Sequence, residues 1–487
     1  MKLNRLIDGA PAIDIETLFI DSRQKVEKGM FFCIKGMIND GHHFVDQAIK
    51  NGAVCIVHSE DIGKYVDDIV YIKVVDVINI LTLTTDKFYK QVTKKMKVFG
   101  VTGTNGKSSI AVTIKNILND YTPCGYIGTI GIEYNNIHVT TGHTTPDIIT
   151  LMKVINDMYQ DKIRAVSLEV SSHGLDQHRT DGVDFDYAIF TNLTHEHLDY
   201  HGTMENYFEA KAKLFTSLTE DKCAIINNDD EYGRRMIELT PARVVTYGIM
   251  DKATYQAMNI KLNPKNTQFI LRYENDDYPI ETNIVAKFNV YNLLAIIAAL
   301  HESGLELEEI IAKVKHIKQI EGRVEMIDEG QPFNIIVDYA HTPDGFIKIY
   351  EYAKAITKKT NKIISVFGSA GKRDTKKRPK LGKISQDYCD MLILTEEDPR
   401  NESVLDICHE IASELTDDYV IIENRYDAIR QAIEMANTND TILILGKGDE
   451  DFLAREFGDD HWMGDDKAAR DILRRYYLKE HTNEIDE

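Results

Sequence analysis

The sequence of 487 residues has no uninterrupted apolar run of about eighteen residues, the length a helix needs to cross a bilayer, so no membrane span is expected. Residues 1–11 lack the apolar centre of an export signal. Cysteine is scarce: Cys33, Cys55, Cys124, Cys223, Cys389 and Cys408 have neither disulfide nor metal-ligand spacing. They read as reduced thiols of a cytoplasmic protein. Positive charge is in deficit, with 57 Lys and Arg against 78 Asp and Glu and a net charge of −21. Such a surface repels nucleic acid, so none is expected as a partner. An anionic substrate then needs a local basic pocket. The main basic cluster is 372–378, which charge alone equally allows to be a solvated loop. Repeats and low-complexity stretches are absent. The 43% hydrophobic and 28% charged composition suits a globular chain, and the length suggests about three domains.

The richest stretch is Gly103-Thr104-Asn105-Gly106-Lys107-Ser108-Ser109, set between a strand-like run at 97–101 and a helical pattern at 109–118. Glycines let backbone N–H groups face phosphate oxygens, and a helix N-terminus adds positive potential. Lys107 would reach the outer phosphates and the Ser108 hydroxyl would ligate Mg²⁺. The general form G-x-x-x-x-G-K-[ST] is met at Gly106 and Lys107, but Val101 stands where the first glycine belongs. The loop is therefore shifted or of a different class.

Strand-like runs at 30–34 and 53–57, with a helical run at 44–50, make a first segment; the basic, polar stretch 91–97 reads as a linker. From Val98 onward, strands at 165–170, 187–190 and 224–226 alternate with helices, the pattern of parallel βαβ units. Phosphates bind at the carboxyl ends of such strands. A smaller α/β segment begins near Glu325, with strands at 334–337, 362–367, 391–395, 419–422 and 441–445. The expected architecture is α/β in three domains, 1–95, 96–325 and 326–487. The acidic tail 480–487 is expected to fray.

Four clusters in the central segment carry chemistry. Glu169 ends an apolar strand, where a buried carboxylate needs a partner. It reads as a Mg²⁺ ligand or a helix cap. His195, His197 and His201 crowd one stretch, yet their spacing matches no zinc pattern; one histidine beside a magnesium site is the alternative. Lys211 opens an amphipathic helix and, on spacing alone, is a surface lysine. Reaction with CO₂ would convert it to a carbamate, an oxygen ligand. Asn289 and Asn292 stand one turn apart on an apolar helix, placed either to cap it or to bond an adenine edge.

Taken in order, T-G-T-N-G-K-S-S, E-V-S-S-H, N-L-T-x-x-H-L-D-Y-H-G, the E-A-K helix, F-N-V-Y-N, Gly322-Arg323-Val324-Glu325 and Asp338-Tyr339-Ala340-His341-Thr342-Pro343 resemble the Mur ligase family. These are ATP-dependent, amide-forming enzymes of peptidoglycan synthesis. The resemblance implies a uridine-nucleotide-binding N-terminal domain, a central parallel sheet like that of P-loop ATPases and a Rossmann-like C-terminal domain. It implies that Gly103 to Ser109, Asn289, Asn292, Arg323 and Asp338 contact ATP. It further implies that Ser108, Glu169, His197 and a carbamylated Lys211 hold two Mg²⁺ ions, and it overturns the surface reading of that lysine. Glu196 stands where relatives more often carry Asp. The chain is expected to act as a monomer.

Asp21-Ser22-Arg23, Thr144-Thr145 and 171–179 look like the tripeptide-forming branch. There Ser22, Thr144, Thr145, Ser171, Gln177 and Arg179 would hold UDP-MurNAc-L-Ala-D-Glu. A diamino acid would be joined to its D-Glu carboxylate through an acyl phosphate. A pentapeptide-forming muramyl ligase, a folylpolyglutamate synthetase and a P-loop kinase are the competing readings. The kinase would not need Glu169, His197 and Lys211 together. The amino acid would meet Arg373, Glu397, Asp398, Arg400, Gly446 and Glu450. Diaminopimelate enzymes read D-N-P-R where this chain has Glu397-Asp398-Pro399-Arg400. Arg400 argues for meso-diaminopimelate. Asp398, with Asp449 where relatives carry His, argues for a bare ammonium and tips the expectation to L-lysine.

Overall fold

The computed structural model describes residues 1–36, 39–140, 142–317, 321–416 and 418–477. The acidic tail expected to fray lies outside the described residues. A first sheet has four parallel strands in chain order: Thr17–Phe19, Gly29–Phe32, Ala53–His58 and Val70–Lys73. Gly29–Phe32 is buried along its length, as a strand covered on both faces must be. The stretch read as a linker is packed instead. Val92–Lys95 makes a 3₁₀ turn in which Val92 joins the core with Met96, while Lys94 and Lys95 stay exposed.

The central sheet has eleven strands. Lys97–Thr102 lies between Ala165–Glu169 and Tyr187–Phe190, all parallel. Cys124–Gly128 extends one side and Cys223–Asn227 the other, again parallel. The chain thus moves first to one side of Lys97–Thr102 and then to the other, the order reversal at which ligands bind in such sheets. The expected parallel strands are present; the antiparallel edges were not foreseen. These are Gly131–Tyr134 with Ile137–Val139, and Tyr255–Leu262, Thr267–Tyr273 and Asp276–Thr282. Asp276–Thr282 carries two aspartates and a proline, which depress strand propensity and confine it to an edge.

Helix Lys107–Leu118 begins inside the glycine-rich loop, two residues before the expected start. Ile110, Ile114, Ile117 and Leu118 bury one helical face. Helix Lys287–Glu302 is apolar and buried from Leu293 to Leu300, where it packs against that helix and the central strands.

The third sheet runs Glu325–Ile327, Asn334–Asp338, Thr441–Leu445, Ile363–Phe367, Met391–Leu394 and Tyr419–Ile421; only the first strand is antiparallel. A buried fork closes its carboxyl end. Arg425 donates to Asp465 from Nε (2.7 Å) and Nη2 (2.6 Å), and to the carbonyls of Glu396 and Leu445. Both side chains are fully buried.

Candidate active site

The loop at the end of Lys97–Thr102 is held by close approach. Gly103 has φ 148°, and a Cβ there would stand 1.8 Å from Thr191 Oγ1. A Cβ on Gly106, at φ 91°, would stand 2.5 Å from Asn292 Oδ1. Neither position has room for a larger residue without rearrangement. Asn192 braces the loop by accepting from Thr104 N at its carbonyl (2.8 Å) and from Asn105 N at Oδ1 (3.1 Å). Lys107 folds back and donates to the carbonyls of Gly103 (3.0 Å) and Thr104 (2.9 Å).

Lys211 donates to the same Gly103 carbonyl at 2.9 Å. It comes from helix Met204–Thr216, capped by Thr203, and is 1% exposed. Burial pushes its amine well below the ordinary lysine range, and the neighbouring Lys107 adds to this. The surface placement suggested by spacing is therefore wrong. The signal was present: Tyr207, Lys211 and Leu214 fall on one helical stripe, and all three are buried.

Glu169 is fully buried at the end of its strand. Its carboxylate accepts from the Tyr126 hydroxyl, from Thr129 N (3.0 Å) and from Thr129 Oγ1 (3.2 Å). It caps no helix; Ser171 caps the one that follows. Asn289 and Asn292 are not caps either. Asn292 Nδ2 donates to Asn289 Oδ1 (2.9 Å), and Asn289 Nδ2 donates to the Val285 carbonyl (2.8 Å). A cavity of about 280 Å³ is lined by Lys107, Ser108, Ser109, Glu169, His197, Asn289, Asn292, Arg323 and Asp338 among others. Beside it, Thr113, Ile284, Leu293, Ile296 and Ile317 line a narrow slot.

The His197 and His201 rings both pack against His173, with centroids 4.9 and 5.5 Å apart. His195 is exposed, His201 pairs with Ser172 Oγ (3.0 Å), and His197 faces the cavity. Desolvation holds the His197 ring below the usual imidazole range; His173, Lys107 and Lys211 add to this and Glu196 opposes it. Among the described residues no three His, Cys, Asp or Glu side chains are grouped to hold a metal. The hydroxyl of Ser108, the carboxylate of Glu169 and the imidazole of His197 still fit Mg²⁺, which takes few protein ligands and completes its shell with water and phosphate oxygens. Glu196 reaches toward the third sheet's residues, 3.6 Å from His341 Nε2.

Arg323 lies over the Tyr339 ring at 4.1 Å. The Asp338 carboxylate accepts from Val324 N and Ala340 N, both at 2.8 Å, and burial pushes its pKa up. Thr145, Ser171, Gln177 and Arg179 are joined in one hydrogen-bonded chain, and Thr144 meets Thr129 instead. Thr145 Oγ1 donates to the Glu169 carbonyl (2.9 Å), and Arg179 donates to the Thr145 carbonyl (2.8 Å) and to Gln177 Oε1 (2.6 Å). Ser171 N donates to Thr145 Oγ1 (3.0 Å), and Thr144 Oγ1 lies 3.0 Å from Thr129 Oγ1. Ser22 stands with the first sheet, donating to Gln47 Oε1 (2.8 Å).

In the third unit, Lys447 is fully buried. Its ammonium pairs with Asp398 Oδ1 (2.9 Å) and Glu450 Oε2 (2.6 Å) and lies 4.2 Å from the Phe452 ring centre. Asp398 Oδ1 also accepts from Ala454 N (3.0 Å). The Tyr339 hydroxyl donates to Glu450 (3.2 Å), and Gly446 N to the Asp338 carbonyl (3.1 Å), which ties this ion-pair cluster to two residues that line the cavity. A Cβ on Gly446 would meet Glu397 Oε2 at 2.8 Å. Arg400, at φ 51°, donates to the Gly371 carbonyl (2.7 Å). The basic cluster divides: Arg373 is exposed, whereas Arg378 is fully buried between Glu402 and Glu410, both at 2.8 Å.

Sequence reasoning missed Tyr126 and Thr129, which fix Glu169, and Asp344, which accepts from Asn105 Nδ2 at 3.0 Å. They lie in ordinary strand, turn and helix sequence, and only folding gives them meaning.

Comparison with known proteins bears on all three units. Residues 14–95 match the Mur ligase family catalytic domain, 101–300 the Mur ligase middle domain, and 322–448 the Mur ligase glutamate ligase domain. The chain is 38% identical over 451 residues to a UDP-N-acetylmuramoyl-L-alanyl-D-glutamate–2,6-diaminopimelate ligase of Clostridium acetobutylicum, covering 92% of each. It is 39% identical over 463 residues to the ligase of the same name from Fusobacterium nucleatum, covering 93% of each. A solved structure of a ligase of that name superposes with a TM-score of 0.72 at 28% identity, over 98% of this chain and 99% of that one. With each unit matched and relatives collinear over nine-tenths of its length, the chain belongs to the Mur ligase family of ATP-dependent, amide-forming enzymes of peptidoglycan synthesis.

Proposed function

We propose that this ligase joins an amine of 2,6-diaminopimelate to the D-Glu side-chain carboxylate of UDP-MurNAc-L-Ala-D-Glu. Domains at 1–95, 96–325 and 326–487 would hold the uridine nucleotide, ATP and the amino acid. A carboxylate is a poor acyl donor, so its oxygen must become a leaving group. Transfer of the γ-phosphoryl group of ATP makes an acyl phosphate; the amine attacks and phosphate departs. Gly103 to Ser109 cradle the phosphates, with Lys107 on the transferring group. Arg323 and Asp338 take the ribose side. Asn289 and Asn292, beside the narrow slot, take the base.

Mg²⁺ held by Ser108, Glu169, His197 and a carbamate on Lys211 would supply charge neutralisation at the phosphates. The buried, low-affinity amine of Lys211 supports carbamate formation, because only the neutral amine reacts with CO₂. Thr144, Thr145, Ser171, Gln177 and Arg179, with Ser22 from the first sheet, would hold the UDP-sugar dipeptide.

The observation that carries the choice of amino acid is the Asp398–Lys447 pair. The expectation of L-lysine rested on Asp398, with Asp449 adding to it, repelling a distal carboxylate. Paired with a buried ammonium, the Asp398 charge is offset. Glu450 then offers an acceptor to the distal ammonium, and Arg400 offers a cation to the distal carboxylate. Lysine would leave Arg400 unmatched. The relatives named as 2,6-diaminopimelate ligases support the same choice. Arg373 would take the carboxylate next to the reacting amine. The test is phosphate release from ATP and Mg²⁺: release requiring both UDP-MurNAc-L-Ala-D-Glu and diaminopimelate is expected. Release with neither diaminopimelate nor lysine would overturn the reading.

A further inference from the structure

Lys447 is a lysine shut off from the protein surface. Its side chain is fully buried, and its ammonium reaches two carboxylates on different segments, Asp398 at 2.9 Å and Glu450 at 2.6 Å. The Phe452 ring, 4.2 Å from the ammonium, closes one side. Asp398 receives a second donor from Ala454 N, on the hairpin Phe452–Arg455, Gly458–His461. Asp398 precedes Pro399 and Arg400, and Arg400 N bonds the Ala454 carbonyl at 2.9 Å. The ammonium therefore pins together the segment bearing Arg400 and the segment bearing Glu450. Without it, the Asp398 and Glu450 carboxylates would stand together with no ammonium between them. A zwitterionic side-chain end would then be disfavoured relative to a bare ammonium.

Resting on the reading that the third-unit pocket binds the distal end of diaminopimelate, we propose that Lys447 is a specificity-determining positioning residue. It offsets Asp398 so that the pocket accepts a distal carboxylate as well as a distal amine. It touches neither the reacting amine nor the phosphates; it acts through Asp398 and Glu450.

The experiment measures kcat/KM for meso-diaminopimelate and for L-lysine in wild type, Lys447→Met, Asp398→Asn and the double variant. Lys447→Met should lower the diaminopimelate-to-lysine ratio by roughly tenfold or more, chiefly through KM for diaminopimelate. Asp398→Asn should raise the ratio, because it removes one of the two negative charges paired with the ammonium and leaves only Glu450 to offset it. The double variant should bring the ratio back toward wild type, which a merely structural lysine would not do. Equal loss on both substrates in Lys447→Met, with no recovery in the double variant, would overturn the proposal. If Lys447→Met does not fold, the Asp398→Asn ratio decides: an unchanged or lowered ratio refutes the role. If wild type uses neither amino acid, the proposed function itself fails, and that result is distinct from a change of ratio.

Discussion

The two ends of the cleft are built from different materials. At the central sheet the site is backbone: glycines too close to Thr191 and Asn292 to carry a side chain, and loop N–H groups fixed by Asn192. At the third sheet it is side-chain charge: Lys447 with Asp398 and Glu450, Arg455 with Glu396 (2.8 Å), and Arg425 with Asp465 beneath them. Phosphate chemistry is common to all substrates, so a rigid backbone cradle serves it. Selection among amino acids turns on the charge at one end of a chain, which ion pairs can tune one residue at a time.

Four variants sharpen or break this contrast. Lys107→Met should abolish phosphate release by about 10⁴-fold with the fold intact by circular dichroism, since the lysine contributes charge and little packing. A loss under tenfold would mean the cradle works without it. Arg425→Met leaves Asp465 buried without a cationic partner, held only by the Trp462 indole N–H (3.2 Å), and should cost about 3–5 kcal/mol in urea unfolding of the third unit. A cost near zero would show the side-chain network to be dispensable.

Lys211→Ala should lower turnover by roughly 10²-fold. Wild type in CO₂-depleted buffer should fall likewise and recover on adding bicarbonate. Activity equal to wild type, with no bicarbonate response, removes the carbamate.

The smallest effect is at Asp440, 2% exposed beneath the third sheet. Burial raises its carboxyl pKa, but Lys362 N and Asn437 N, both donating at 2.8 Å, outweigh burial and hold it below the ordinary 3.8. A lowered folded pKa means the stabilisation is complete above 3.8 and lost as pH falls through the folded value. Asp440→Asn should therefore cost about 1 kcal/mol at pH 7, with the difference shrinking below pH 3.8. A constant difference across that range would contradict the assignment.

The same contrast explains what the sequence discloses. The glycine loop, Glu169 at a strand end and the alternating βα pattern are local, so spacing reveals them. Lys211 defeats a reading by residue type, because a lysine between buried Tyr207 and Leu214 looks solvated until the helical stripe is traced. Asp398 misleads for a related reason. Its charge is visible in the sequence, but the ammonium that offsets it stands 49 residues further on. The edge hairpins escape because their burial alternates and their residues are polar.

The most direct test of the account sets meso-diaminopimelate and L-lysine in one reaction, at equal concentration, with ATP, Mg²⁺ and UDP-MurNAc-L-Ala-D-Glu, and reads the UDP-tripeptides by mass. The diaminopimelate product should dominate. Dominance of the lysine product would contradict it, and would mean that Asp398 presents its charge to the substrate despite Lys447.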